Sequence, residues 1–158
     1  MDAILKTIRD RLHPEPYSEA AEEVDGISLL LIGPASGGAK YALAVVPYQS
    51  RQPALAQVGR ARRAVDAFTD ASIFSKNGLI ILFVAPEPDW PAPDAAPAPD
   101  RHGLRRTIVQ ALVWLDPRTG KYRMNRSRWG PLKFGNLHGH VTALCALLDA
   151  WPLTGSRS

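Results

Sequence analysis

The sequence predicts a single α/β (α+β) domain in which a mixed β-sheet of about five strands is flanked by three helices. Its 158 residues are 46% apolar and 22% charged, which suits one globular domain with a sizeable core. Short apolar runs typical of strands alternate with segments whose apolar residues recur at every third or fourth position. No segment is repeated, so we expect one domain over residues 1–158.

Three segments have the periodicity of amphipathic helices. Residues 2–12 place aliphatic side chains at helical spacing with charged residues between them. In residues 52–69, apolar positions recur at steps of three and four, and arginines fall between them. Residues 137–151 follow Asn136, a residue type that caps helices, and Pro152 ends the segment.

Five short apolar runs predict the strands: residues 24–32, 41–46, 79–84, 107–115 and 121–124. The first two surround a glycine-rich segment, which predicts two strands joined by a turn. The third is continuous, as is typical of a strand buried on both faces. The last two flank Asp116-Pro-Arg-Thr-Gly120, where proline presets one φ and glycine accepts a positive one, so we expect a hairpin.

A proline-rich loop is predicted over residues 86–101. Six prolines and three acids within residues 86–99 favour neither a sheet nor a helix, so we expect an extended surface segment. With few large apolar side chains to bury, this loop is expected to be mobile and dispensable, and to act as a spacer. Residues 153–158 are expected to form a flexible C-terminal tail.

The glycine-rich segment Gly33-Pro-Ala-Ser-Gly-Gly38 contains part of a phosphate-binding loop. Such a loop requires Lys and then Ser or Thr directly after the last glycine, whereas Ala39-Lys40-Tyr41 follows here. A phosphate loop also leads into a helix, and the residues that follow are typical of a strand. The sequence therefore favours a hairpin turn over nucleotide binding.

Charge is distributed unevenly along the chain. Residues 1–100 contain 9 basic and 13 acidic residues, a formal charge of −4, whereas residues 101–158 contain 10 basic and 2 acidic residues, a formal +8. Such a surplus attracts nucleic acid, acidic protein surfaces or anionic lipid. The alternative is that the basic half complements the acidic N-terminal part within the same molecule.

The basic residues of the second half are interleaved with aromatic ones, which suggests a polyanion-binding surface. Long cations neutralise phosphates, and exposed aromatic rings stack on bases. The candidate residues for binding nucleic acid or another partner are Arg105, Arg106, Arg118, Lys121, Arg123, Arg126, Arg128, Trp129 and Lys133. Strand alternation places Lys121 and Arg123 on one face and Tyr122 and Met124 on the other. The alternative is therefore that the aromatic side chains belong to the core and the cations only solvate its rim.

His138 and His140 suggest a metal or catalytic site, with His102 and Cys145 as further ligands. Helical residues two positions apart point about 200° away from each other, so the two histidines cannot bind one ion from the same helix. Cys145 lies among leucines and is interpreted as a small buried hydrophobic residue. We predict no catalytic residues, no metal and no cofactor.

Residues 25–87 resemble the core of the restriction-endonuclease-like PD-(D/E)xK superfamily in the order strand, short turn, strand, helix, strand. In that family, one strand bears an acid, the next bears (D/E)xK, and the helix carries Gln and Arg. Here Val45-Val46-Pro47-Tyr48-Gln49 stands where (D/E)xK is expected, and no acid lies between Asp25 and Asp66. Without paired carboxylates there is no magnesium site, so the resemblance implies a catalytically inactive copy.

These observations predict a cytoplasmic, non-enzymatic binding module whose basic half binds nucleic acid or an acidic protein surface. The single cysteine excludes a disulfide framework, and neither a signal peptide nor a membrane span is expected. One alternative is a subunit of a larger assembly, without nucleic-acid binding, in which Trp90, Trp129 and Trp151 are covered by another chain. The other is a small hydrolase that depends on a metal or on Cys145 with His138 or His140.

Overall fold

The described part of the chain in the computed structural model contains six strands and two helices of more than ten residues. The described residues are 3–4, 6–7, 22–24, 26–34, 40–69, 77–101, 105–126 and 137–151. The strands are β1 (Glu22–Val24), β2 (Ile27–Pro34), β3 (Lys40–Pro47), β4 (Asn77–Val84), β5 (Thr107–Leu115) and β6 (Tyr122–Arg126). The helices are α1 (Ala54–Phe68) and α2 (Leu137–Asp149). No helix in these ranges is both long enough and apolar enough to cross a bilayer.

The strands form one mixed sheet in which spatial order equals chain order. β1, β2 and β3 are successively antiparallel, β3, β4 and β5 are parallel, and β6 is antiparallel to β5. Parallel neighbours need a crossover connection, which α1 supplies between β3 and β4. The second crossover runs through residues 85–106, and its described part, 85–101 and 105–106, contains a 3-10 turn at Glu87–Asp89 but no α-helix.

The predicted mixed sheet in a single α+β domain is confirmed, with differences in detail. The first predicted strand is divided by Gly26 at φ +73°, which adds the short edge strand β1. Of the helix predicted over residues 2–12, only Ala3, Ile4, Lys6 and Thr7 are described, and these are helical. β2 pairs antiparallel with β3 up to Pro34 and Lys40, so the glycine-rich segment joins two strands and does not lead into a helix. The predicted C-terminal tail at 153–158 lies outside the described residues.

Two hydrophobic layers cover the sheet because β4 and β5 carry apolar side chains on both faces. On one face, Leu43, Ile80 and Leu82 pack with Leu144 and Leu148 of α2. On the other face, the sheet contributes Ala44, Leu79, Ile81, Phe83 and Trp114, and α1 contributes Val58, Ala61 and Val65. The continuous apolar run at 79–84 is therefore a strand buried on both faces, as predicted.

The proline-rich segment, residues 86–101, lies packed against the α1 side of the sheet, and we call it the strap. Trp90 and Ala96 pack against the core of that face, and Pro99 is buried. At the end of the strap, the Asp100 N–H donates to the Val109 carbonyl at 2.8 Å, and the Val109 N–H donates to the Asp100 carboxylate at 2.8 Å. The expectation that this segment has little to bury is therefore wrong, whereas its mobility and its dispensability stay predictions.

Side chains of the sheet and of α1 hold the strap in place. Prolines keep the backbone extended and leave its carbonyl groups without partners of their own. Arg123 donates to the Pro91 carbonyl at 2.6 Å, and Asn125 donates to the Pro97 carbonyl at 3.2 Å. Arg62 of α1 binds both carboxylate oxygens of Asp100 at 2.8 and 2.9 Å. The sequence reasoning missed these contacts because each joins segments that are distant in the chain.

The predicted hairpin between β5 and β6 is confirmed, and Asp116 connects it to the strap. The Asp116 N–H donates to the Lys121 carbonyl at 2.9 Å, and Gly120 adopts φ +75°. The buried Asp116 carboxylate accepts the backbone N–H groups of Arg118 at 2.9 Å and of Glu87 at 3.2 Å. Burial by itself would raise the pKa of Asp116, but the hydrogen bonds from Arg118, Glu87 and Thr119 outweigh it and lower the pKa below 3.8.

We expect Asp116→Asn to destabilise the domain by about 1–3 kcal/mol at neutral pH, because a buried acceptor of several N–H groups is weakened. Since the folded state lowers the pKa of Asp116, its contribution is present above the unfolded pKa and is lost as the pH falls through the folded value. Urea unfolding at pH 7 and below pH 4 measures this difference. Equal stability of the two proteins at pH 7 would contradict the assigned role.

Candidate functional site

The structure describes six of the nine predicted binding residues. Arg118 and Lys121 lie in the hairpin at the end of β5, and Arg123 lies within β6. Arg105 and Arg106 precede β5, at the opposite end of that strand, and Arg126 ends β6 beside Ala111. The remaining three, Arg128, Trp129 and Lys133, lie outside the described residues. The six described residues thus lie at two separate places in the fold.

Arg123 is half-buried, and its guanidinium makes several contacts within the fold. Its guanidinium carbon lies 5.0 Å from the ring centroid of Trp114 and 5.8 Å from that of Trp90. The same guanidinium donates to the Pro91 carbonyl, and the residue is half-buried. Arg123 therefore joins the strap to the sheet through cation–π contacts and a hydrogen bond.

The aromatic side chains on the α1 side form a row that Arg123 completes. Tyr48 meets the edge of Phe83 with the ring centroids 5.3 Å apart, and Phe83 stacks on Trp114 at 5.4 Å. Phe83, Trp114 and Arg123 are register partners on β4, β5 and β6. Burial raises the pKa of Tyr48, and the charge of Arg123 partly opposes this. Trp114 has no exposed surface, so it cannot stack on bases.

Tyr122 and Met124 pack against the α2 side of the sheet, so the predicted alternation along β6 is confirmed. The Tyr122 hydroxyl donates to the Asp149 carboxylate at 2.6 Å, and this bond together with burial raises the pKa of Tyr122 to about 12. For Trp114, the alternative interpretation as a core residue is therefore correct, whereas Tyr122 packs against the core and stays half-buried.

The two cations of the hairpin lie beside carboxylates. Lys121 Nζ lies 2.7 Å from Glu87 Oε2, and this hydrogen bond raises the pKa of Lys121. Arg118 Nε lies 4.0 Å from Asp116 Oδ1, although its side chain is 74% exposed. These neighbouring carboxylates partly neutralise the positive charge that the hairpin offers to a polyanion.

Four exposed arginines lie beside the first half of β5 or directly before it, and we call them the arginine cluster: Arg101, Arg105, Arg106 and Arg126. None of them makes an ion pair within the described part of the chain. Asp100 lies beside Val109, and Arg126 lies opposite Ala111, two residues further along β5. Two strand residues span about 7 Å, so Asp100 and Arg126 lie beside positions of β5 that are about this far apart. The alternation along β6 places the Arg126 side chain on the same face as Tyr122 and Met124.

Arg101 belongs to this cluster although the sequence reasoning did not select it. It follows directly on Asp100, whose bonds to Val109 and Arg62 fix the end of the strap beside β5. The sequence indicated only that Arg101 is of a residue type that is usually exposed. Its position beside β5 became evident from the hydrogen bonds between Asp100 and Val109.

A cleft of about 670 Å³ lies at the hairpin end, away from the arginine cluster. The start of the strap, the hairpin and the end of α2 supply its walls: Glu87, Trp90, Pro91, Ala92, Gly120, Lys121, Tyr122, Arg123, Leu148, Asp149 and Trp151. Trp90 Nε1 donates to the Ala85 carbonyl at 3.0 Å, and Trp151 Nε1 donates to the Pro117 carbonyl at 3.1 Å. Of the tryptophans named for the assembly alternative, these two are thus held half-buried by their own chain, and Trp129 lies outside the described residues.

The candidate metal and catalytic residues are described only in part. His138 and His140 lie in α2 by their backbone, whereas their side chains and all of His102 lie outside what is described. Cys145 is half-buried with its Sγ 4.0 Å from Met124 Sδ, and burial raises the pKa of its thiol. Across the described ranges, no three His, Cys, Asp or Glu residues are grouped so that they could hold a metal ion.

The positions that correspond to (D/E)xK lie at the end of β3, where Val45 and Val46 are fully buried in the core. No protein family, curated protein or solved structure matches this chain. The similarity to a restriction-endonuclease-like core therefore stays a hypothesis.

We expect Arg123→Ala to lower the free energy of unfolding by about 1–3 kcal/mol, because it removes packing between two tryptophans and a bond to the strap. The matched variant Arg118→Ala removes an exposed arginine from the adjacent hairpin and should change stability by less than about 0.5 kcal/mol. Urea unfolding followed by tryptophan fluorescence measures both. Equal effects of the two substitutions would show that the contacts of Arg123 contribute nothing.

Proposed function

We propose that this chain is a non-enzymatic binding module that binds nucleic acid through the arginine cluster. The observation that carries the proposal is that Arg101, Arg105, Arg106 and Arg126 are exposed and make no ion pair within the described residues. Guanidinium groups bind phosphate oxygens with favourable geometry, and release of counterions supplies much of the affinity. Arg128 and Lys133 follow Arg126 within a few residues, so they extend the basic stretch along the chain.

An acidic protein is the other partner class that the charge suggests. We favour nucleic acid because the described residues around the cluster expose no large apolar side chain. Stable protein interfaces are usually built around buried apolar and aromatic side chains. Among the described residues, the large apolar side chain that is exposed is Leu55, in the first turn of α1. That turn follows the end of β3, whereas the arginine cluster lies toward the other end of the parallel strands.

The expected mode of binding is contact with phosphates and not recognition of bases. Of the aromatic residues interleaved with the basic ones, Trp114 is fully buried, and Tyr122 is half-buried with its hydroxyl bonded to Asp149. Phosphate contacts position a protein on nucleic acid and carry little sequence information. We therefore expect weak sequence preference and a strong dependence on salt.

Charge reversal at the cluster tests this proposal. We expect Arg105→Glu with Arg106→Glu to weaken binding to a labelled 20-base-pair DNA duplex and to reduce the log–log salt slope by about 0.7–0.9 per lost contact. The control, Arg51→Glu with Arg118→Glu, makes the same change in net charge at exposed positions after β3 and β5. Fluorescence anisotropy in a salt series measures both variants, and circular dichroism checks that they are folded.

Equal weakening by both pairs would show that only net charge matters and would contradict a localised site. If the unmodified protein binds neither DNA nor RNA at low salt, while an acidic protein is captured in a manner that Arg105→Glu abolishes, the nucleic-acid proposal is wrong and the acidic-partner alternative replaces it.

We also expect no nuclease activity, because buried valines stand where the resemblance would require metal-binding acids. Incubation with labelled single- and double-stranded DNA and RNA in the presence of magnesium or manganese tests this. Cleavage that is abolished by one substitution within residues 25–49 would overturn the expectation.

A further inference from the structure

The cleft at the hairpin end has aromatic walls whose polar atoms are already bonded within the protein. The indole N–H groups of Trp90 and Trp151 donate to backbone carbonyls, and the Tyr122 hydroxyl donates to Asp149. All three side chains are only half-buried. These hydrogen bonds fix the orientation of the rings, so their exposed surface consists mainly of ring carbons.

The charged side chains that line the cleft have partners of their own. Glu87 is paired with Lys121 at 2.7 Å, and Asp149 accepts the Tyr122 hydroxyl. Arg123 is held between two tryptophans and bonded to the strap. An anionic ligand would meet Glu87 and Asp149, and a cationic ligand would meet Lys121 and Arg123. The two acids and two bases thus disfavour a strongly charged ligand of either sign.

Hydrogen-bonding capacity nevertheless remains in the cleft. A carboxylate has about four acceptor positions and an ammonium group has three donors, so the single bonds made by Asp149 and Lys121 leave further positions for a ligand. A ligand that uses them must both donate and accept hydrogen bonds. To cover the rings it must also present an apolar face.

We propose that this cleft binds a neutral oligosaccharide. A pyranose ring presents C–H groups on its faces and hydroxyl groups, which both donate and accept, around its rim. The volume of about 670 Å³ lies within the range of about 300–1,000 Å³ that is typical of ligand sites. A proline-rich peptide also packs on aromatic rings, but proline has no backbone N–H, so such a peptide offers few donors to the free acceptor positions of Asp149.

Calorimetric titration of the full chain with neutral trisaccharides tests this inference. The probes are maltotriose, cellotriose and fully N-acetylated chitotriose, with trigalacturonate as the anionic and deacetylated chitotriose as the cationic comparison. We expect at least one neutral probe to bind with a Kd of about 1 mM or tighter, and the charged probes to bind about tenfold more weakly.

Two variants locate the site. Trp151→Leu removes one aromatic wall, and Asp149→Asn changes one acceptor without changing its shape, so each should weaken binding by about fivefold or more. The matched control is Asp94→Asn, an exposed acid of the strap outside the cleft, which should leave the affinity unchanged. The Asp149 variant keeps the test informative if Trp151→Leu fails to fold.

The inference is overturned if no neutral trisaccharide gives saturable binding in the millimolar range, or if a charged probe binds more tightly than its neutral counterpart. It is also overturned if Asp149→Asn and Asp94→Asn have the same effect. Arg105→Glu with Arg106→Glu should leave saccharide binding intact, so the outcome is independent of nucleic-acid binding at the arginine cluster.

Discussion

Burial of β4 and β5 on both faces is the constraint on which the rest of this structure depends. Two adjacent parallel strands with apolar side chains on both sides need cover above and below the sheet. α1 and the strap supply that cover on one face, and α2 supplies it on the other. Because parallel strands also need crossover connections, the same segments that cover the sheet on the α1 side connect its strands.

The second crossover is a proline-rich strap and not a helix. Nearby polar side chains therefore bond to the backbone of the strap. An extended proline backbone cannot pair its carbonyls internally, so side chains of β6 donate to two of them. Arg123 makes one of these bonds and also fills the space between Trp90 and Trp114. The sequence suggested Arg123 as a phosphate-binding residue, but in the structure its guanidinium packs against the aromatic side chains of the α1 face.

The two ends of the parallel strands differ in how their charges are neutralised. At the hairpin end, Lys121 is paired with Glu87 and Asp149 bonds Tyr122, so the cleft there is aromatic and nearly neutral. Beside the first half of β5 and directly before it, the arginine cluster has no carboxylate partners within the described residues. One fold thus presents two surfaces of different electrostatic character, for which we propose phosphate and neutral saccharide ligands respectively.

Local pattern in the sequence determined the elements, because the periodicity of 79–84 and 54–68 and the turn residues Asp116 to Gly120 act on near neighbours. It also determined the alternation along β6, which follows from the pleat alone. Tertiary structure decided the rest: the packing of the strap, the contacts of Arg123, and the place of Arg101 beside β5. Each depends on contacts between segments that are distant in the chain, such as that of Arg62 with Asp100. The local periodicity of a sequence does not indicate which distant residues are in contact in the fold.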